Sequence, residues 1–435
     1  MSIPVPEKRI AEFENRGFGM FIHWGLYSQL IQAITDIRSA HILINVEIEY
    51  HSDRIRLSFV TAEKFDARKI AALAKRAGMK YITLTTRHHD GFSLYDTCGL
   101  SDYDAPHSAA GRDLIKEFVE ACRAEDILPM FYHTTLDWHV DSFNNDFPAY
   151  LHYLRDSVEI LCSNYGKIGG LWFDGNWSKQ DADWEEDKLY EVIRRHQPDA
   201  IIVNNTGLNA QGHAGNIELD SVTFEQGRPE PMNREGMPKY LAAEMCQTMN
   251  DHWGCGGDDF NYKSLPELIE TLCACRKVGA NYLLNVGPDG SGAITQMQEA
   301  LLCGIGSWIG CTGDAFYEAK PCGVHGVGKD FMLRRGDRCY AYIHGLTIQG
   351  DASVTVEKAN TGWKNFNGVD AKIKSVRWTD NGEELRFEQD GSDARIFATG
   401  FPYDKDVNPD NNSDNVARII PYVRDVRRLG SAAYD

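Results

Sequence analysis

Two hydrophobic rhythms alternate along the first three hundred positions. Short apolar runs are separated by longer stretches in which apolar residues return every three or four positions. The run Phe18-Gly19-Met20-Phe21-Ile22 closes on a His23-Trp24-Gly25 turn. Further strand-like runs lie at 81–85, 128–132, 171–173, 200–203, 221–224, 240–243 and 281–284. Between many of them the pattern is helical. In 66–78, Asp66 can cap, Ile70, Leu73, Ala74 and Ala77 share a face, and Gly78 ends the helix. Others open at Asp113, cover 146–165, 189–196 and 295–308, or start at the capping box Ser264-Leu265-Pro266-Glu267 and stop at Gly279. Eight strands separated mostly by helices predict an α/β fold, a (β/α)8-like (TIM) barrel with an irregular second half. The rival is a doubly wound open sheet, but no GxGxxG or GxxxxGK[ST] follows the first strand. Segment 28–57 has no sustained period and reads as an excursion over the barrel mouth. From about Gly323 helical patterns stop. Short alternating stretches such as Arg338-Cys339-Tyr340-Ala341-Tyr342-Ile343, Ser353-Val354-Thr355-Val356 and Ser375-Val376-Arg377-Trp378 predict a small antiparallel β-sandwich. The expected domains are 1–325 and 326–435.

Composition narrows the function. A net charge of −18 argues against nucleic acid and anionic membrane surfaces as partners. No apolar run reaches the roughly 18 residues of a membrane helix. The opening Met1-Ser2-Ile3-Pro4-Val5-Pro6-Glu7 lacks a basic stretch followed by an apolar one, which points to a cytoplasmic protein. The 11 cysteines are odd in number and include no CxxC pair, so they read as reduced core residues. The oligomeric state is left open.

The chemistry gathers where the strands end. Gly169-Gly170-Leu171-Trp172-Phe173-Asp174-Gly175 is a buried run that stops at an acid, and barrel strands end at the active-site face. The other endings include His23 and Trp24, His88 and His89, Tyr132 and His133, Asn204 and Asn205, Glu225, Glu244 and Asn285. Amides, imidazoles and carboxylates bind hydroxyls, and aromatic rings cover the C–H face of a sugar, so the rim suits a neutral polyol. Neighbours in a strand point to opposite sides, so one of His88 and His89 is structural if that strand continues. Trp24, Trp138, Trp172, Trp177 and Trp253 each pack more readily than they bind. The rival chemistry is a metal-dependent hydrolase using His23, His88, His89 and Asp174, but an H-x-H pair is missing.

With these residues in view, the sequence resembles the retaining α-L-fucosidases of glycoside hydrolase family 29. The resemblance rests on Phe18-Gly19-Met20-Phe21-Ile22-His23-Trp24-Gly25-Leu26-Tyr27-Ser28, Thr85-Thr86-Arg87-His88-His89-Asp90-Gly91-Phe92, Leu171-Trp172-Phe173-Asp174-Gly175 and Asn281-Tyr282-Leu283-Leu284-Asn285-Val286-Gly287-Pro288. It implies exo-acting hydrolysis of terminal α-L-fucosyl linkages on a fucosylated glycan, without cofactor or metal. Asp174 would be the nucleophile, and His23, Trp24, Glu47, His88, His89, Tyr132 and Trp172 would bind the sugar. Glu225 is the first choice for the general acid/base, Glu244 the second, with Glu218 and Glu230 kept open. Two departures stand out: Glu47-Ile48 lacks the family's tryptophan, and Thr206 stands where many members carry arginine. A non-catalytic fucose-binding relative is the alternative from another functional class.

Overall fold

The computed structural model describes residues 2–28, 57, 60–312, 315–346, 348–349, 362–379, 382–399, 401–402 and 423–427. Glu47, almost all of the 28–57 excursion and the expected strand at 353–356 lie outside the described residues. The chain divides into two compact units, 1–263 with 280–302, and 264–279 with 303–435.

In the first unit eight parallel strands close into a barrel in chain order. They are β1 Phe18–Ile22, β2 Tyr81–Arg87, β3 Leu128–Thr134, β4 Gly170–Asp174, β5 Ile201–Asn204, β6 Ser221–Glu225, β7 Ala242–Thr248 and β8 Asn281–Val286. β8 pairs back onto β1, with Phe21 opposite Asn285. This is the expected barrel. Its helices are α1 Lys8–Arg16, α2 Ala67–Arg76, α3 Leu114–Ala124, the short α4 Ser142–Asn145, α5 Phe147–Asn164 and α6 Glu186–His196, and none lies between β5 and β7. The caps read from sequence form: Asp66 accepts from Lys69 N (3.1 Å), Asp113 from Lys116 N (2.9 Å) and Asp146 from Ala149 N (3.2 Å). Such a cap contributes about 1 kcal/mol by satisfying a helix-end amide.

Alternate strand residues fill the barrel interior. Ile10 and Phe13 of α1 pack there with Tyr81, Met130 and Ile201, and Phe21, Tyr132, Trp172, Val203 and Cys246 belong to the same cluster. Gly19 makes room for Tyr81, since a Cβ there would lie 2.4 Å from the ring. Asp220, just before β6, is fully buried and held by Arg9 (3.0 Å), Arg194 (2.8 Å) and Lys239 (2.9 Å). The extent of β7 differs from the expected 240–243. The strand runs from Ala242 to Thr248, so Glu244 lies within it and not at its end.

The second unit contains α7 Leu265–Lys277 with its capping box. It also holds an antiparallel sheet built from β9 Lys320–Gly326, β10 Phe331–Arg335, β11 Arg338–His344, β13 Gly362–Asn367, β14 Arg377–Trp378, β15 Phe387–Asp390, β16 Asp393–Ala398 and β18 Val423–Arg427. A two-stranded sheet pairs β12 Ile348–Gln349 with β17 Phe401–Pro402. The core of this unit includes Met332, Ile343, Phe366, Trp378 and Ile396. The expected boundary between 325 and 326 falls within β9, which follows directly on a last short helix, Ala315–Glu318.

Candidate active site

Asp174 ends β4 opposite Thr134 of β3, which aims its carboxylate out of the C-terminal mouth of the barrel. Three donors hold it. Tyr132 OH donates to Oδ2 (3.1 Å), while Trp177 Nε1 (2.9 Å) and Asn205 Nδ2 (3.3 Å) donate to Oδ1. His89 Nε2 lies 3.6 Å from Oδ2. The chain reverses directly after the carboxylate at Gly175, whose φ is +124°. A Cβ there would meet Leu136 N at 2.6 Å, so glycine is required for the turn that carries Trp177 back to Asp174.

Glu225 ends β6, two strands away. Asn205 Nδ2 donates to Glu225 Oε2 (2.8 Å) as well as to Asp174 Oδ1. The two carboxyl oxygens therefore cannot be further apart than 2.8 and 3.3 Å laid end to end. So short a bridge is compatible with the roughly 5–5.5 Å separation of retaining carboxyl pairs. The Asn205 amide is oriented by its other end, since Oδ1 accepts from Thr223 Oγ1 (3.0 Å) and Gly207 N (3.2 Å). Burial pushes the Glu225 carboxyl above the ordinary glutamate value; the Asn205 hydrogen bond opposes this and the charge of Asp174 adds to it. A glycosidase needs one carboxyl that holds a proton for the leaving group and a second that serves as nucleophile.

Both acids line a cavity of about 470 Å³ with Phe21, His23, Tyr27, His88, His89, Tyr132, Trp172, Trp177, Cys246, His252 and Trp253 among its walls. His23 Nδ1 lies 2.7 Å from Asn285 Oδ1, which can only accept, so Nδ1 carries the proton and Nε2 is an acceptor. Burial lowers His23 to about 4, against the Asn285 hydrogen bond, and keeps the ring neutral. His89 Nδ1 meets Thr134 Oγ1 (2.7 Å), whose own proton goes to Leu136 O (2.6 Å), so this ring donates from Nδ1 as well. His88 stacks on Tyr132 at 5.2 Å and 6°. β2 stops at Arg87, so the alternation expected for a continuing strand does not apply and both histidines face the cavity. Among the described residues no lysine or arginine lines it, which favours a neutral ligand. Thr206, in the arginine position of the resemblance, donates to Ala210 O (2.6 Å).

Several sequence expectations need correction. Trp24 is fully buried on the other side of the β1 turn from His23, stacked on Phe65 (5.1 Å) and donating to Asp289 O (2.9 Å), so it does not line the cavity. Glu244 lies inside the barrel wall, 1% exposed, and accepts from Tyr81 OH and Trp172 Nε1 (3.0 Å). It orients Trp172 and is not part of the cavity lining. Burial raises it to about 7. Glu218 is engaged by Arg194 (3.2 Å) and Glu230 is exposed, both away from Asp174. Among the described residues no three of His, Cys, Asp and Glu form a metal-ligand group, so His23, His88, His89 and Asp174 do not make one.

Residue type marks Asn205 as one of several rim amides suited to hydroxyls, and Trp177 and Trp253 each as readier packing residues than ligand contacts, with their joint place at the rim in favour of function. It passes over the pair His252 Nδ1 and Asp259 Oδ2 (2.6 Å), which fixes a cavity-lining imidazole. Six residues of irregular loop lie between the two, and no periodicity marks the pair. A larger depression of about 1360 Å³ lies on the outer face of α2 and α3. It is lined by side chains such as Lys69, Arg76, Glu117 and Glu120 and gathers no comparable constellation, so the smaller cavity at the strand ends is the functional candidate.

The family model for alpha-L-fucosidase matches residues 5–314. Tissue alpha-L-fucosidase of Bos taurus is 28% identical over 352 residues, 74% of this chain and 70% of the bovine protein. That of Homo sapiens is 28% identical over 346 residues, 74% and 71% of the two chains. Alpha-L-fucosidase isoenzyme 1 from Paenibacillus thiaminolyticus superposes with a TM-score of 0.75 at 28% identity, covering 98% of this chain and 99% of that one. A family 29 fucosidase from Bacteroides thetaiotaomicron, solved as a trapped covalent intermediate, shares the fold with a TM-score of 0.76 at 20% identity over 99% and 98% of the chains. With most of its length matched by the family model and its acids at the mouth of the same barrel, the chain belongs to the alpha-L-fucosidase family.

Proposed function

We propose that the protein is an exo-acting α-L-fucosidase that hydrolyses terminal α-L-fucosyl linkages of glycans with retention, through a covalent fucosyl-aspartate. The observation that carries this reading is the Asn205 amide bridging Asp174 and Glu225 in a cavity walled by histidines and aromatic rings. The cavity ends on Phe21 and Trp172 above the packed interior, so it suits a terminal residue. Its apolar floor fits the C–H face and methyl group of a 6-deoxy sugar, while His23, His88 and His89 offer partners to hydroxyls.

In the first step an Asp174 oxygen bonds to the anomeric carbon as the glycosidic C–O bond breaks. Glu225 gives its proton to the departing oxygen. In the second step water bonds to the anomeric carbon, the ester bond to Asp174 breaks, and Glu225 takes a proton from the water. Both transition states have oxocarbenium character, which the carboxylate stabilises.

The test is a pair of variants on an aryl fucoside. Asp174→Ala abolishes hydrolysis while thermal unfolding shows the fold intact. Glu225→Ala slows turnover, and azide restores it with a fucosyl azide of retained configuration. Near-normal turnover by Asp174→Ala, or azide rescue at Glu244→Ala in place of Glu225→Ala, overturns the assignment. A fucose-binding relative without turnover would show no hydrolysis by the unaltered chain.

A further inference from the structure

We infer that Trp177 is a positioning residue that sets the balance between the two chemical steps by donating its indole N–H to Asp174. The inference rests on the reading of Asp174 as nucleophile. Trp177 remains 44% exposed, so burial does not account for its placement. Specific bonds do. Ser178 Oγ donates to Gly175 O (2.7 Å) and Ser178 N to the same carbonyl (2.9 Å), closing a 3-10 turn over Asn176–Lys179. Asn176 Nδ2 donates to Glu186 Oε1 (2.8 Å) and ties that turn to α6. The ring meets His89 edge to face (5.7 Å, 79°) and its Nε1 reaches Asp174 Oδ1 at 2.9 Å.

A hydrogen bond to a carboxylate strengthens with the negative charge on the oxygen. An attacking carboxylate carries a full charge before reaction, less in the first transition state, and almost none once its oxygen is esterified to the anomeric carbon. Charge returns to it in the second transition state, when the ester bond breaks and the electron pair goes back to Asp174. The indole donor therefore restrains attack in the first step and assists departure in the second. A residue serving only as a wall has no such opposite effects.

Trp177→Phe keeps the aromatic surface and removes the donor. On an aryl fucoside with a strongly activated leaving group, the second step limits turnover. The variant then shows kcat lower by about tenfold. KM falls with it, kcat/KM is maintained or higher, and the fucosyl-enzyme accumulates as a resolved species in the intact-protein mass spectrum. Asn176→Ala, which releases the turn from Glu186, gives the same split at smaller amplitude and serves if Trp177→Phe folds poorly. A parallel fall of kcat and kcat/KM without accumulation, or no change in either, overturns the inference. Asp174→Ala run alongside separates the two failures: if it is inactive, the role of Trp177 alone is lost, and if it turns over normally, both readings fall.

Discussion

Replacing Asn205 by alanine removes the donor shared by both carboxyl groups. The amide is 5% exposed and lies 2.8 Å from Glu225 Oε2 and 3.3 Å from Asp174 Oδ1. Asn205 holds the two carboxyl groups in register with each other, and loss of that alignment should lower kcat/KM on an aryl fucoside about ten- to a hundredfold. The sharper readout is pH. Burial raises Glu225, and the Asn205 hydrogen bond opposes it by favouring the ionised form. Without that bond the carboxyl holds its proton to higher pH. Glu225 must be protonated to release the aglycone, so the basic limb of the kcat/KM profile moves upward in the variant. Thr223 Oγ1 and Gly207 N lose an acceptor, and thermal unfolding at one pH registers that separate cost. A basic limb that stays in place or moves down refutes the argument, whatever the loss in rate.

Two further predictions concern the barrel wall. Glu244, raised to about 7 by burial, contributes stability that is full below its unfolded value and is lost as pH rises through 7. Glu244→Gln should flatten the stability profile over that window by roughly 3 kcal/mol, read from urea unfolding between pH 4 and pH 8. Asp220 is held below the ordinary aspartate value: burial opposes ionisation, but Arg9, Arg194 and Lys239 outweigh it. Asp220→Asn should cost about 3–5 kcal/mol at pH 7. The deficit should narrow as pH falls below about 4, where the aspartate of the unfolded chain takes up a proton, and on through the lower value of the native aspartate; an equal deficit at both ends would count against the charge cluster.

Sequence periodicity located the barrel because each strand is a short apolar run bounded by polar residues, and the residues ending those runs are where Asp174, Glu225, His23 and Asn205 lie. It failed where a polar residue entered the interior. Glu244 interrupts the apolar run of β7 and so resembled a strand end, yet Tyr81 and Trp172 supply the donors that let a carboxyl stay inside. Trp24 misled for the opposite reason: it is next to His23 in sequence, but the turn after β1 sends it into a separate apolar contact with Phe65. Trp177 could not be assigned from residue type, since its effect depends on a glycine turn that folds the ring back onto the preceding acid. The loop pair His252 and Asp259 follows neither a helical nor a strand period.

Ile10 and Phe13 act as a stopper in the end of the cylinder opposite the sugar site, and Arg9 beside them latches onto Asp220. Each apolar side chain withdrawn from such a place forfeits about 1.5–3 kcal/mol. Trimming into Lys8–Arg16 for expression or crystallisation would thus unplug the scaffold far from any reacting atom. Affinity tags ahead of Val5, which is 88% exposed, would instead hang in solvent and leave that plug seated.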